Sequence, residues 1–146
     1  MQGRVVAVSV SANKGERKHN VPSANLLPGM GLEGDAHIGF GHRQVSLLAL
    51  ESIEKMRQAG LSVNPGDFAE NITTVNLNLV ELPVGTRLKI GETVLEVSQI
   101  GKECHNRCAI YYQAGDCVMP KEGIFAVVLT GGVVHVGDVV EVTANV

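Results

Sequence analysis

Residues 87–100 read RLKIGETVLEVSQI. Leu88 and Ile90 alternate with Arg87 and Lys89, Gly91-Glu92 supplies a turn, and Thr93 to Ile100 continues as a β-rich run. A period of two puts the apolar side chains on one face of a strand, so the stretch predicts a hairpin with one side on a core. The C-terminal part repeats the style. Ile124 to Leu129 predicts a strand, Gly131-Gly132 a turn, Val133 to Val136 a short strand, and Gly137-Asp138 a turn into Val139 to Thr143. Short strands spaced by glycine-containing turns predict a mainly β chain closed as a β-barrel.

Arg4 to Val10 predicts a first strand, and Ser11 to Gly34 a long polar connection broken by Pro22 and Pro28. Connections of that length in a compact domain often carry function. Gln44 to Leu48 predicts a short buried strand. Ala49 to Ala59 is the best helix: Ala49, Ile53 and Met56 recur at helical spacing, Glu51 precedes Lys55 by four, and Gly60 supplies the stop. It predicts a packing helix without chemistry of its own. From Asn71 onward the pattern is mostly strand.

The chain has 146 residues, 45% hydrophobic and 18% charged, which predicts one globular domain over 1–146. A chain of that length buries about two-thirds of its unfolded surface, enough for a core without disulfides. Aromatic residues are only 3%, so the core is aliphatic. The net charge of −3, with acids and bases interspersed, argues against a general nucleic-acid binder but leaves room for a local anion pocket. The N-terminus lacks the apolar core of a signal peptide, and no run approaches the roughly 20 apolar residues of a membrane span. The expectation is a cytoplasmic protein with no membrane partner.

The densest chemistry lies in GKECHNRCAIYYQAGDCVMPKEGIF, residues 101–125, which holds all three cysteines with Lys102, His105, Arg107 and Lys121. In a reducing compartment such a cluster points to catalysis or metal binding rather than a disulfide framework. A thiol reacts as thiolate, favoured by nearby cations or a helix N-terminus. Arg107 precedes Cys108, and a short helix over Ala109 to Gln113 would set Cys108 at its positive end. Cys108 is therefore the best-placed nucleophile. Cys117, before Val118 and Met119, equally fits a buried small hydrophobe, and Cys104 fits a supporting role. A zinc site of Cys104, His105, Cys108 and Cys117 is a rival reading, although the spacing is not a paired CxxC pattern.

Five stretches, in order, resemble the small stand-alone MOSC domains, named after the C-terminal part of molybdenum-cofactor sulfurases. They are GLEGDAHIGFGHRQVSLLALESI (31–53), GDFAENITT (66–74), LPVGTRLKIG (82–91), GKECHNRCAIYYQAGDCVMPKEGIFAVVL (101–129) and GGVVHVGD (131–138). The resemblance implies a β-barrel of MOSC type with a few short helices. It also implies a sulfurtransferase-like protein that carries sulfur as a persulfide on one cysteine in an Arg-Cys-apolar-apolar context. Arg107-Cys108-Ala109-Ile110 matches that context. The alternative within the resemblance is a non-catalytic module that binds molybdate, tungstate or molybdenum cofactor, with Cys108, and less directly Cys104, as metal ligand.

On this reading the ligand is the molybdenum cofactor (molybdopterin) or molybdate. The sulfur donor is a cysteine desulfurase and the acceptor the cofactor or a molybdoenzyme. No pyridoxal phosphate is expected in this chain, and a homodimer is an open expectation. An anionic pterin ligand calls for donors and close backbone. Asp35, His37, Arg43, Asn71, Arg107 and Lys121 are the expected cofactor-binding residues, with His42 and Glu70 beside them. Gly34-Asp35 also fits a plain turn, Arg43 a surface ion pair, and Glu70-Asn71 a cap before a strand. Where close relatives commonly have Arg after Ile-Phe-Ala, this chain has Val127.

Overall fold

A computed structural model of the chain describes residues 2–13, 17–36, 38–39, 41–101 and 122–143. Eleven strands and one α-helix are found among them, in the order β1 (Gln2–Val10), β2 (His19–Val21), β3 (Ser23–Leu27), β4 (Gly31–Leu32), β5 (Val45–Ala49), α1 (Leu50–Gln58), β6 (Ile72–Val75), β7 (Arg87–Ile90), β8 (Thr93–Ile100), β9 (Ile124–Thr130), β10 (Gly132–His135) and β11 (Val139–Thr143). A 3-10 turn, Leu79–Glu81, lies between β6 and β7.

Seven strands close a barrel in the order β11-β7-β8-β9-β5-β6-β1, with β1 returning to β11. Every neighbouring pair in the ring is antiparallel except β5 and β6, which run parallel with Leu47 opposite Ile72. β2 lies against β1, and β10, β3 and β4 form a separate small sheet.

The alternation read in 87–100 does what the pleat requires. Leu88, Ile90, Leu95 and Val97 are buried in the barrel core with Val5, Val8, Leu47, Ile72, Ile124 and Val140. Leu26, Leu32 and Val134 of the small sheet join the same cluster. Full burial of each such aliphatic side chain contributes about 1.5–3 kcal/mol. β5, VSLLA, shows no alternation because both its faces are covered. Val45 and Leu47 face the barrel, while Leu48 joins a second cluster with Ile53, Met56, Val63, Phe68 and Phe125, packing α1 onto the outside.

The expected 11–34 connection is corrected: it contains β2, β3 and β4, of three, five and two residues. Such short pieces, interrupted by Pro22 and Pro28, carry no local period. They are strands only because they find partners: β2 on β1 with Val8 opposite Val21, β3 on β10 with Val134 opposite Ala24, and β4 on β3 with Leu26 opposite Leu32. Gly31 is required where this region meets β5. Its φ is +125°, and a Cβ there would lie 2.6 Å from the Gln44 carbonyl oxygen.

Candidate functional site

β8 and β9 deliver the cysteine segment and receive it back. The Gly101 amide donates to the Gly123 carbonyl at 2.6 Å, so the two ends of the intervening stretch are held together. Cys104, His105, Arg107, Cys108, Cys117 and Lys121 fall in that stretch and lie outside the described residues; so does His37, in the loop after β4. Glu122, where the chain returns, accepts from Ser52 Oγ at 2.7 Å and Lys55 Nζ at 2.9 Å. It forms part of the wall of a cavity of about 370 Å³ at the start of α1.

At the foot of the same stretch stand His42, Arg43 and Gln99. Gln99 Oε1 accepts from Arg43 Nε at 3.1 Å and meets His42 Nε2 at 2.6 Å, while Gln99 Nε2 donates to the Gly101 carbonyl at 2.7 Å. A carbonyl only accepts and an arginine Nε only donates, so both ends of the Gln99 amide are fixed. His42 must then carry its proton on Nε2, leaving Nδ1 as an acceptor in the neutral ring. The Arg43 guanidinium lies 5.4 Å from the centre of the Phe125 ring, within cation–π range. Among the described residues nothing accepts a hydrogen bond from its Nη1 or Nη2.

A β-bulge makes this cluster. The β8–β9 register shifts between Val97 and Gln99, leaving Ser98 as the extra residue. Successive residues of a regular strand point to opposite faces. Here Ser98 Oγ reaches the His42 carbonyl while Gln99 reaches the His42 and Arg43 side chains. The bulge re-aims a side chain, a use bulges often serve beside functional sites. Val127, half-buried and opposite Glu96, lies on the same face of β9 as Phe125.

Asp35 and Asn71 have other partners. Asp35 is buried against Lys18, whose Nζ lies 2.8 Å from Asp35 Oδ1, and the Ser11 amide donates to the same oxygen at 3.1 Å. This pins the loop after β4 to the loop after β1. Asn71 ties three strands. Its Oδ1 accepts from the Ser46 amide at 3.0 Å, its Nδ2 donates to the Ser9 carbonyl at 3.2 Å, and its carbonyl accepts from the Ser9 amide at 2.7 Å. Gln99 thus groups Arg43 with His42, while Asp35 is held by Lys18 and Asn71 by Ser46, the residue opposite Phe125 on the neighbouring strand.

Glu70, beside Asn71, is fully buried. Thr73 Oγ1 donates to its Oε2 at 3.1 Å. Among the described residues its Oε1 has no partner in hydrogen-bond geometry, although the amides of Gly66, Phe68 and its own residue face the carboxyl group. Burial pushes its pKa up to about 7 against the opposing pull of those amides and the Thr73 hydroxyl.

Sequence reading missed Gln99 and Lys18. The sign of Gln99 was Ser98-Gln99, two polar residues in succession that break the alternation of β8. Nothing in the sequence marks Lys18 as buried, since lysine is almost always exposed.

The family model described as MOSC domain matches residues 31–141. Solved structures share the fold. The YuaD protein of Bacillus subtilis superposes with a TM-score of 0.83 at 18% identity, over 97% of this chain and 96% of that one. YiiM of Geobacillus stearothermophilus gives 0.73 at 18% identity, over 97% and 75% of the two chains. YiiM of Escherichia coli gives 0.69 at 24% identity, over 100% and 71%. No curated protein sequence matches the chain. No helix among the described residues is long and apolar enough to cross a membrane.

Proposed function

Because this chain belongs to the MOSC domain family, we propose that it is a sulfur carrier for molybdenum-cofactor chemistry, holding the sulfur as a persulfide on Cys108. Membership of the family supports a molybdenum-cofactor-related function. In the loading step the Cys108 thiolate attacks the outer sulfur of a desulfurase persulfide, R–S–SH. The new S–S bond forms as the old one breaks, the donor leaves as R–S⁻, and Cys108 becomes Cys–S–SH without net oxidation. Arg107 and Lys121 are assigned to favouring the thiolate, and His37 to hydrogen bonding at the ligand.

The observation that supports this reading most is the placement of Arg43. Its two terminal nitrogens are without a described acceptor, and Gln99 links it to Gly101, where the cysteine segment begins. An anionic substrate such as the phosphate-bearing pterin, or an oxyanion of molybdenum, fits a guanidinium fork in that position.

Incubation with a cysteine desulfurase and cysteine, followed by intact mass measurement, tests the reading. The expected result is one added sulfur, removed by a thiol reductant and absent in Cys108→Ala. A chain that gains no sulfur but binds molybdate through Cys108 would be a binding module instead. Stoichiometric zinc with neither behaviour would leave a metal-stabilised barrel.

A further inference from the structure

We propose that Gln99 is a positioning residue that orients Arg43 and His42 toward an anionic ligand while leaving the charge of Arg43 uncancelled. The inference rests on the reading of Arg43 as an anion-binding residue, and it goes further by assigning the group that makes Arg43 competent. Three observations carry it. One amide oxygen holds both Arg43 Nε and His42 Nε2, at 3.1 and 2.6 Å. The amide nitrogen is anchored to the Gly101 carbonyl at 2.7 Å, so the oxygen cannot turn away. The bulge at Ser98 is what brings this side chain to the His42–Arg43 corner.

The chemistry explains why a glutamine stands here. A carboxylate would hold Arg43 more strongly, but it would neutralise the guanidinium and set an oxygen against the Gly101 carbonyl oxygen. An alanine would release the fork, which would then lose rotamer freedom only when an anion arrives. A neutral amide fixes the Nε side, leaves Nη1 and Nη2 without an acceptor among the described residues, and preserves the full positive charge. The Phe125 ring, 5.4 Å from the guanidinium carbon, adds a second contact that holds Arg43 in place without neutralising it. Ordering before binding is the general route to affinity at small cost.

The test uses inorganic phosphate and molybdate as separate probes, titrated by calorimetry into wild type, Gln99→Ala and Gln99→Glu. The expected result is binding by the wild type, about tenfold weaker in Gln99→Ala and weaker still in Gln99→Glu. Preference for phosphate would assign the site to the pterin's phosphate, and preference for molybdate to the oxo-metal. Nitrogen-15 spectra supply a readout that general destabilisation does not mimic. Wild type should show the His42 ring protonated at Nε2 and a protected Arg43 Nε–H. Gln99→Glu should retain both and Gln99→Ala lose both. Equal affinities in all three proteins, or unchanged His42 and Arg43 signals in Gln99→Ala, would overturn the assignment. No binding of either anion by wild type would remove the anion role of Arg43 itself. Failure of Cys108 to load sulfur, with the Gln99 dependence intact, would remove the carrier reading alone.

Discussion

Lys18 Nζ lies 2.8 Å from Asp35 Oδ1, with the two side chains 0% and 1% exposed. The Lys18 ammonium also donates to Ser11 Oγ at 3.1 Å, and its backbone amide donates to the Gly66 carbonyl at 2.9 Å. One residue therefore joins three loops, and the loop carrying Asp35 leads on to His42 and Arg43.

Breaking this pair from one side should be costly, because it strands a buried charge. Lys18→Met or Asp35→Leu alone should lower unfolding free energy by about 3–5 kcal/mol, whereas the double variant should recover most of the loss. Urea titration of the four proteins closes the cycle. Strictly additive losses would mean that the two groups do not interact.

Glu70 predicts a pH dependence of known sign. Its folded pKa of about 7 stands above the ordinary 4.5. Between those two values the unfolded chain gives up the proton while the folded chain keeps it, so stability falls as pH rises through this window. The full effect is about 3 kcal/mol. In Glu70→Gln that contribution vanishes, so the variant should gain on wild type between pH 5 and pH 7.5. A wild-type-to-variant difference that stays constant over the range would show that Glu70 titrates normally.

Two glycines separate steric from conformational cost. Gly66 and Gly60 have nearly the same φ, +97° and +98°, but a Cβ on Gly66 would lie 2.4 Å from the Lys18 carbonyl oxygen and one on Gly60 would meet nothing within 4 Å. Gly60→Ala should cost about 1–2 kcal/mol, for the left-handed backbone alone. Gly66→Ala should cost about 3 kcal/mol or more, with disturbance of the Lys18 loop. Thermal melting of both, with Gly60→Ala as the reference, gives the difference. Equal shifts would refute the close approach.

Arg43→Lys should not conserve function. Lysine keeps the charge but has neither the Nε–H that Gln99 holds nor a planar fork. Sulfur loading of Cys108 should persist, while affinity for molybdate falls about tenfold or more. Undiminished binding by the lysine variant would reduce Arg43 to a point charge.

The sequence reading succeeded where the local pattern and the packed structure agree. β7, β8 and β11 run over the expected residues because their alternation is the pleat of a half-buried strand and glycine turns bound them. The helix expected over 49–59 is found at Leu50–Gln58. The small sheet escaped because β3 and β4, of five and two residues, hold too little period, and β10, the partner of β3, lies about a hundred residues downstream. Of the candidate site, Arg43 stood out by its chemistry alone. Its holder did not, since Gln99 is 56 residues away in sequence and meets Arg43 only through closure of the barrel and the bulge on β8.

An odd number of strands has a consequence for the helix. Around a ring, up and down can alternate without fault only if the count is even. With seven members, two adjacent strands must point the same way, and in this chain they are β5 and β6. Strands so arranged cannot be joined by a tight hairpin, because the chain has to travel back outside the wall before re-entering. The return leg is α1 and the loop after it. The helix that looked in the sequence like plain packing is thus the link that parity demands, and trimming residues 50–71 to a hairpin's length would leave the wall no way to close.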